Sequence, residues 1–238
     1  MSNIIRHTMQ KMQPLFNGKR MPRPAATIRK LIQQDVFDYQ TLIATLHDYS
    51  SPRDKISRLV QCGDIIRIKK GLYIFGEELR KWPISKMYLA NLLHGPSYVS
   101  LEYALYHYSL IPERVTQITS VTSGRSKIYQ TPIGCFSYRH IPLQCFAPGM
   151  DIITDELGAS SLIAAPEKAL VDKIQTGPPL RTHKDLELYL LEDLRINPSD
   201  LAQMNIAMAT KYCNEFGSRK SELFLQVMDR LRQKSNQR

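Results

Sequence analysis

The stretch SPRDKISRLVQCGDIIRIKKGLYIF, Ser51 to Phe75, changes its hydrophobic period halfway along. Ile56, Leu59 and Val60 fall at i, i+3 and i+4, the apolar stripe of a helix. Ser51 stands before Pro52, a capping residue ahead of the residue best tolerated at the first helical position. Gly63 follows as a helix terminator. The period then drops to two. Ile66 and Ile68 are expected to point one way, Arg67 and Lys69 the other. Lys70-Gly71 supplies a turn, and Leu72-Tyr73-Ile74-Phe75 resumes as a second strand.

Upstream, Tyr39, Leu42, Ile43 and Leu46 repeat the helical spacing, as do Ile28, Leu31 and Ile32. Three short helices followed by a β-hairpin is the order of a winged helix-turn-helix, whose second helix-turn-helix element enters the DNA major groove. We place this domain at residues 25–80. Residues 1–24 are interrupted by Gly18, Pro22 and Pro24 and are expected to form a basic flexible arm.

The polar residues of the stretch fit the same reading. Arg53, Lys55 and Arg58 lie off the apolar stripe. Ser51 and Asp54 sit near the helix start, where backbone N–H groups meet a phosphate. Arg67, Lys69 and Lys70 are expected on or near the wing tip, and Lys19, Arg20 and Arg23 offer further contacts from the arm. Cations neutralise phosphates, and arginine forms two hydrogen bonds to guanine in the major groove.

The charge is distributed accordingly. Lys and Arg number 32 against 22 Asp and Glu, a formal +10, and residues 1–85 carry +8 of it. The first 34 residues contain no acid. Such a local surplus suits a polyanion, although it equally describes a solvated tail or an anionic lipid surface. Composition, at 43% hydrophobic and 23% charged, is that of an ordinary globular protein. No apolar run approaches a membrane span, and no secretory leader is expected, so the expected location is cytoplasmic. Cys62, Cys135, Cys145 and Cys213 form no CxxC pair and are expected as free, mostly buried thiols.

Residues 77–83 form an expected linker, with Trp82-Pro83 packing it down. Residues 84–238 are expected to form a larger α+β domain. Helices are expected at 84–93, from Ser100 as cap across 101–108, and from Pro166 to Ile174. Strands are expected at 116–122, 127–130 and 135–141. Helices at 182–194, 199–213 and 218–232 follow the break at Thr176-Gly177-Pro178-Pro179.

Enzyme chemistry leaves no signature. None of the six histidines pairs at zinc-ligand spacing, and GxSxG, GxxxxGK[ST] and GxGxxG are absent. No catalytic residue, metal or cofactor is expected. Two alternatives stay open. Asp151, Asp155, Glu156 and Glu167 are the carboxylates from which a metal-dependent nuclease would be built. Tyr98, Tyr103, Tyr106, Tyr108 and Tyr138 are candidates to line the pocket of a ligand-sensing regulator, or simply to fill a core.

Three stretches carry a resemblance: SRLVQCGDIIRIKKGLYIF (Ser57–Phe75), GPSYVSLEYALYHYSLIPERVTQITSVTSGRSKIYQTPIGCFSYRHIP (Gly95–Pro142), and APEKALVDKI (Ala165–Ile174) with YLLEDLRI (Tyr189–Ile196). The chain resembles the AbiEi-type antitoxins, the transcriptional-regulator halves of bacterial type IV toxin–antitoxin pairs. The resemblance implies a winged helix that binds double-stranded DNA at the protein's own promoter and represses the operon. It also implies a larger domain that counteracts a cognate toxin of nucleotidyltransferase-like fold, without enzymatic activity. Only Ser51, Arg53, Lys55, Arg58, Lys69 and Lys70 transfer by position. The arm departs from the family's pattern in being longer and more basic. A single winged helix covers a short site, so an inverted-repeat operator would require two copies.

Overall fold

The computed structural model describes residues 24–235, and the expected arm contacts Lys19, Arg20 and Arg23 lie outside them. The fold is mixed α+β, with two sheets and a helical C-terminal region.

The N-terminal unit runs α1 (Pro24–Leu31), β1 (Val36–Asp38), α2 (Tyr39–Ala44), α3 (Pro52–Gln61), β2 (Ile65–Lys69) and β3 (Leu72–Phe75). The strands form an antiparallel sheet of order β1-β3-β2. Ile28, Ile32, Leu42, Leu46, Ile56 and Leu59 share one core with Phe37, Ile65, Tyr73 and Phe75. Leu31, expected on the first stripe, is instead 61% exposed. The buried stripe is Ala25, Ile28 and Ile32, and at 3.6 residues per turn Leu31 lies about 90° away from it. Asp38 caps α2 by accepting the Thr41 N–H at 2.7 Å, which holds its carboxyl below the ordinary value.

Strand β3 is buried along its whole length because it faces two cores. Tyr73 and Phe75 join the N-terminal core, whereas Leu72 and Ile74 join the larger one together with Ile68. The segment after the hairpin is tied by its backbone. Asp35 accepts the N–H groups of Lys81 and Trp82 at 3.2 and 3.1 Å and pairs with Arg29 at 2.9 Å. Trp82 itself is 60% exposed, so the expected packing by this side chain does not occur. Gly76 passes so close to Gly63 that a Cβ would stand 1.9 Å from its carbonyl oxygen.

The larger unit begins with α4 (Lys86–Leu93), capped by Ser85. Next come β4 (Ser97–Val99), α5 (Leu101–His107), β5 (Ile118–Thr122), β6 (Lys127–Thr131), β7 (Gly134–His140), β8 (Met150–Thr154), β9 (Ser160–Ala164) and α6 (Pro166–Thr176). Six strands pair in the order β6-β7-β5-β4-β9-β8, with β4/β9 and β5/β7 parallel and the rest antiparallel. One face packs on α4, where the Tyr138 hydroxyl donates to the Ala90 carbonyl at 2.7 Å. The other face packs on α5 and α6, where Thr119 Oγ1 donates to the Ser100 carbonyl and accepts the Tyr103 N–H.

Helices α7 (His183–Leu188), α8 (Pro198–Gln203), α9 (Ile206–Phe216) and α10 (Arg219–Ser235) complete the chain, with a π-helical turn at Tyr189–Asp193. The single helix expected over 199–213 is two, because Asn205 starts a new one by accepting the Met208 N–H. All four cysteines are free; Cys145 and Cys213 are buried, whereas Cys62 is exposed.

Inside the larger core lies a buried ion pair. Lys168 and Asp172, one turn apart on α6, are 1% and 0% exposed and directly paired. The second Asp172 oxygen accepts from Tyr98 at 3.0 Å and Ser100 at 2.9 Å. Burial pushes the Asp172 carboxyl up, and the Lys168 ammonium and the two hydroxyls oppose it.

Candidate nucleic-acid interface

Helix α3 is amphipathic in the manner its sequence requires. Ile56 and Leu59 are buried, and Arg53, Asp54, Ser57, Arg58 and Gln61 are exposed. The exposed set repeats at i, i+4 and i+8 through Arg53, Ser57 and Gln61, so one face carries guanidinium, hydroxyl and amide groups. Ser57 and Gln61 are additions to the sequence-derived site, and the same helical spacing that found Arg53 and Arg58 points to them. Lys55 is half-buried, its ammonium 5.5 Å from the Tyr49 ring centroid. Ser51 occupies the cap position but its hydroxyl makes no capping bond, which leaves the first turn's N–H groups without a side-chain partner there.

The hairpin divides its three cations. Arg67 and Lys70 are exposed. Lys69 is not: its ammonium donates to the carbonyls of Leu92 and Leu93 at 3.3 and 2.7 Å, satisfying the C-terminal end of α4. The cause is a bulge. Arg67 pairs with Tyr73, but Lys69 pairs with Leu72, so two residues of β2 span one of β3. Paired residues share a face, and Leu72 faces the larger core. The bulge therefore turns Lys69 away from the face of Arg67, where strict alternation places it. Burial, and then the nearby Lys127 ammonium, lower the Lys69 pKa.

Three of the four carboxylates considered for a nuclease accept backbone N–H groups, and the fourth, Glu156, is exposed. Asp155 accepts the N–H groups of Leu157 and Ala159 across its turn, Asp151 accepts that of Ile152, and Glu167 accepts that of Asn205 at the start of α9. Among the described residues no three His, Cys, Asp or Glu side chains stand together as a metal site. The candidate sensor tyrosines divide: Tyr98 and Tyr138 are core residues at 0% and 1% exposure, Tyr103 and Tyr108 are partly buried against that core, and Tyr106 is exposed with its ring edge to face on Tyr103. No helix among the described residues is long and apolar enough to cross a membrane. No protein-family model matches the chain, and no curated protein matches it in sequence.

Proposed function

We propose that this chain is a cytoplasmic DNA-binding regulator of the antitoxin type, which occupies its own promoter through a winged helix-turn-helix and represses transcription without enzymatic activity. The observation that carries this reading is the exposed polar face of α3, with Arg53 and Arg58, adjoining a hairpin that leaves Arg67 and Lys70 in solvent. In this reading α2 and α3 form the helix-turn-helix, α3 reads base edges, and the β2–β3 hairpin is the wing that meets phosphates. Gln61 suits an adenine edge and Arg58 a guanine edge. Lys69 anchors the wing to α4 instead of touching DNA. Counteraction of a nucleotidyltransferase-like toxin by the larger unit rests on the resemblance of residues 95–142 and 165–196.

A gel shift of the full chain on the DNA upstream of its gene, against a scrambled duplex, tests the DNA half. Preferential binding is expected, lost on the double substitution Arg53→Ala and Arg58→Ala. With about six phosphates engaged, the log–log salt slope should be about −5. Equal binding to both duplexes would defeat the repressor reading. Co-expression with the product of the adjacent gene tests the antitoxin half, with restored growth as the expected outcome.

A further inference from the structure

A groove of about 880 Å³ opens between the β5–β7–β6 end of the large sheet and helices α5 and α6. Strand register sorts what lines it. Ser137 pairs with Thr119 and with Ile128, so these three side chains share the sheet face on which α5 and α6 lie. Arg139, two residues along β7, is on that same face and lines the groove. Its side chain is exposed, and no ion pair or hydrogen bond holds the guanidinium among the described residues. The opposite wall carries a paired Glu102 and Lys173. Burial works against the Lys173 charge, but Glu102 and Tyr189 beside it raise its pKa overall, so the Lys173 ammonium keeps its charge.

Two further features set this groove apart from ordinary surface relief. Leu101, at its edge, holds a backbone φ of +60°, a conformation costly for a residue with a branched side chain and found preferentially at ligand clamps. Ile128, on the other side, is 64% exposed. The groove thus offers a free guanidinium, a carboxylate able to accept from hydroxyl or amine groups, and apolar surface at the margins. Its volume lies in the range of small-molecule sites and far exceeds what a bare inorganic anion fills.

We infer that this groove is a binding site for a small organic anion of about mononucleotide size, its phosphate or carboxylate head on Arg139 and its polar body toward Glu102. The inference is independent of DNA binding. The hairpin and the strand that carries the site are both bonded to α4. Tyr138, between Ser137 and Arg139, bonds α4 on the other face, and Lys69 of the hairpin bonds the end of α4.

The test is calorimetric titration of the full chain, without DNA, using AMP, citrate and inorganic phosphate as probes. AMP or citrate should bind with a sub-millimolar Kd, and whichever binds tighter identifies the head group. Inorganic phosphate should bind at least tenfold more weakly. Arg139→Ala should weaken the organic anion at least tenfold with an unchanged melting temperature, because the side chain supports no core contact, and Arg139→Lys should recover part of the loss. The inference is overturned if neither organic anion binds, if inorganic phosphate binds as tightly as they do, or if Arg139→Ala binds equally well.

Discussion

The two units of this protein place their charges at different depths. The N-terminal unit packs eleven buried hydrophobic residues, keeps a nearly buried ion pair, Arg29–Asp35, at the margin of that core against the Phe75 ring, and displays Arg53, Arg58, Arg67 and Lys70 in solvent. The larger unit carries a lysine and an aspartate inside, bonded to each other, with Tyr98 and Ser100 donating to the aspartate and the Tyr98 and Phe216 rings beside the ammonium. Exposed cations cost the fold little and leave a surface whose chemistry can change without unfolding the protein. The internal pair is the reverse: each charge is tolerable only while its partner stays. Substitutions in the two units should therefore separate into losses of stability and losses of binding.

The largest effect is expected at Asp172. Asp172→Ala strands the Lys168 ammonium in the core and should destabilise by about 3–5 kcal/mol in denaturant unfolding. Replacing the pair together, Lys168→Met with Asp172→Leu, should be markedly milder. If the double change is as damaging as the single one, the charges themselves are not what distinguishes this core. Next is Gly149→Ala. At φ +80° its new Cβ would stand 2.7 Å from Tyr212 Cζ and 2.8 Å from Lys168 Cβ, so the chain around the pair must shift. A loss of about 1–3 kcal/mol is expected.

In the N-terminal unit Arg58→Ala should weaken promoter binding by about 1–3 kcal/mol while leaving the melting temperature in place. A drop in stability of the same size would erase the contrast between the units. The smallest effect concerns the α2 cap. Asp38→Ala should cost about 1 kcal/mol at neutral pH. Because the Thr41 N–H lowers the folded carboxyl's pKa, this contribution is complete above the unfolded value near 3.8 and is lost as pH falls through the folded one. The gap between wild type and variant should close below that pH in thermal melts.

Legibility in the sequence follows the same division. Helix α3 is announced at both ends by Pro52 and Gly63, and its stripe by Ile56 and Leu59, so its exposed face is readable from residue identity and spacing alone. Strands β1 and β4 are not readable, because each has only three residues and no room for alternation. β9 lies in the sheet interior between β4 and β8, and Ser160–Ala164 shows no clean period of two. Ser100 reads as a helix cap, yet its hydroxyl is drawn to Asp172, 72 positions away, which no local pattern reports. Lys69 reads as a wing-tip cation because a bulge leaves no mark in residue identity. Arg139 carries no local signal either: on its own strand it is an ordinary exposed cation, and only the approach of α5 and α6 makes a groove of its surroundings.

The shared strand β3 also bears on how this protein can be taken apart. A unit joined to its neighbour by a loose tether can be excised, grafted or duplicated with little loss. Here a cut after residue 80 would leave Ile68, Leu72 and Ile74 facing water. At roughly 1.5–3 kcal/mol for each buried aliphatic side chain, that exposure rivals the whole stability of a small domain. The hairpin is inherited from both units at once. Any recombination that exchanges the N-terminal unit must carry a matching surface for the larger unit along with it.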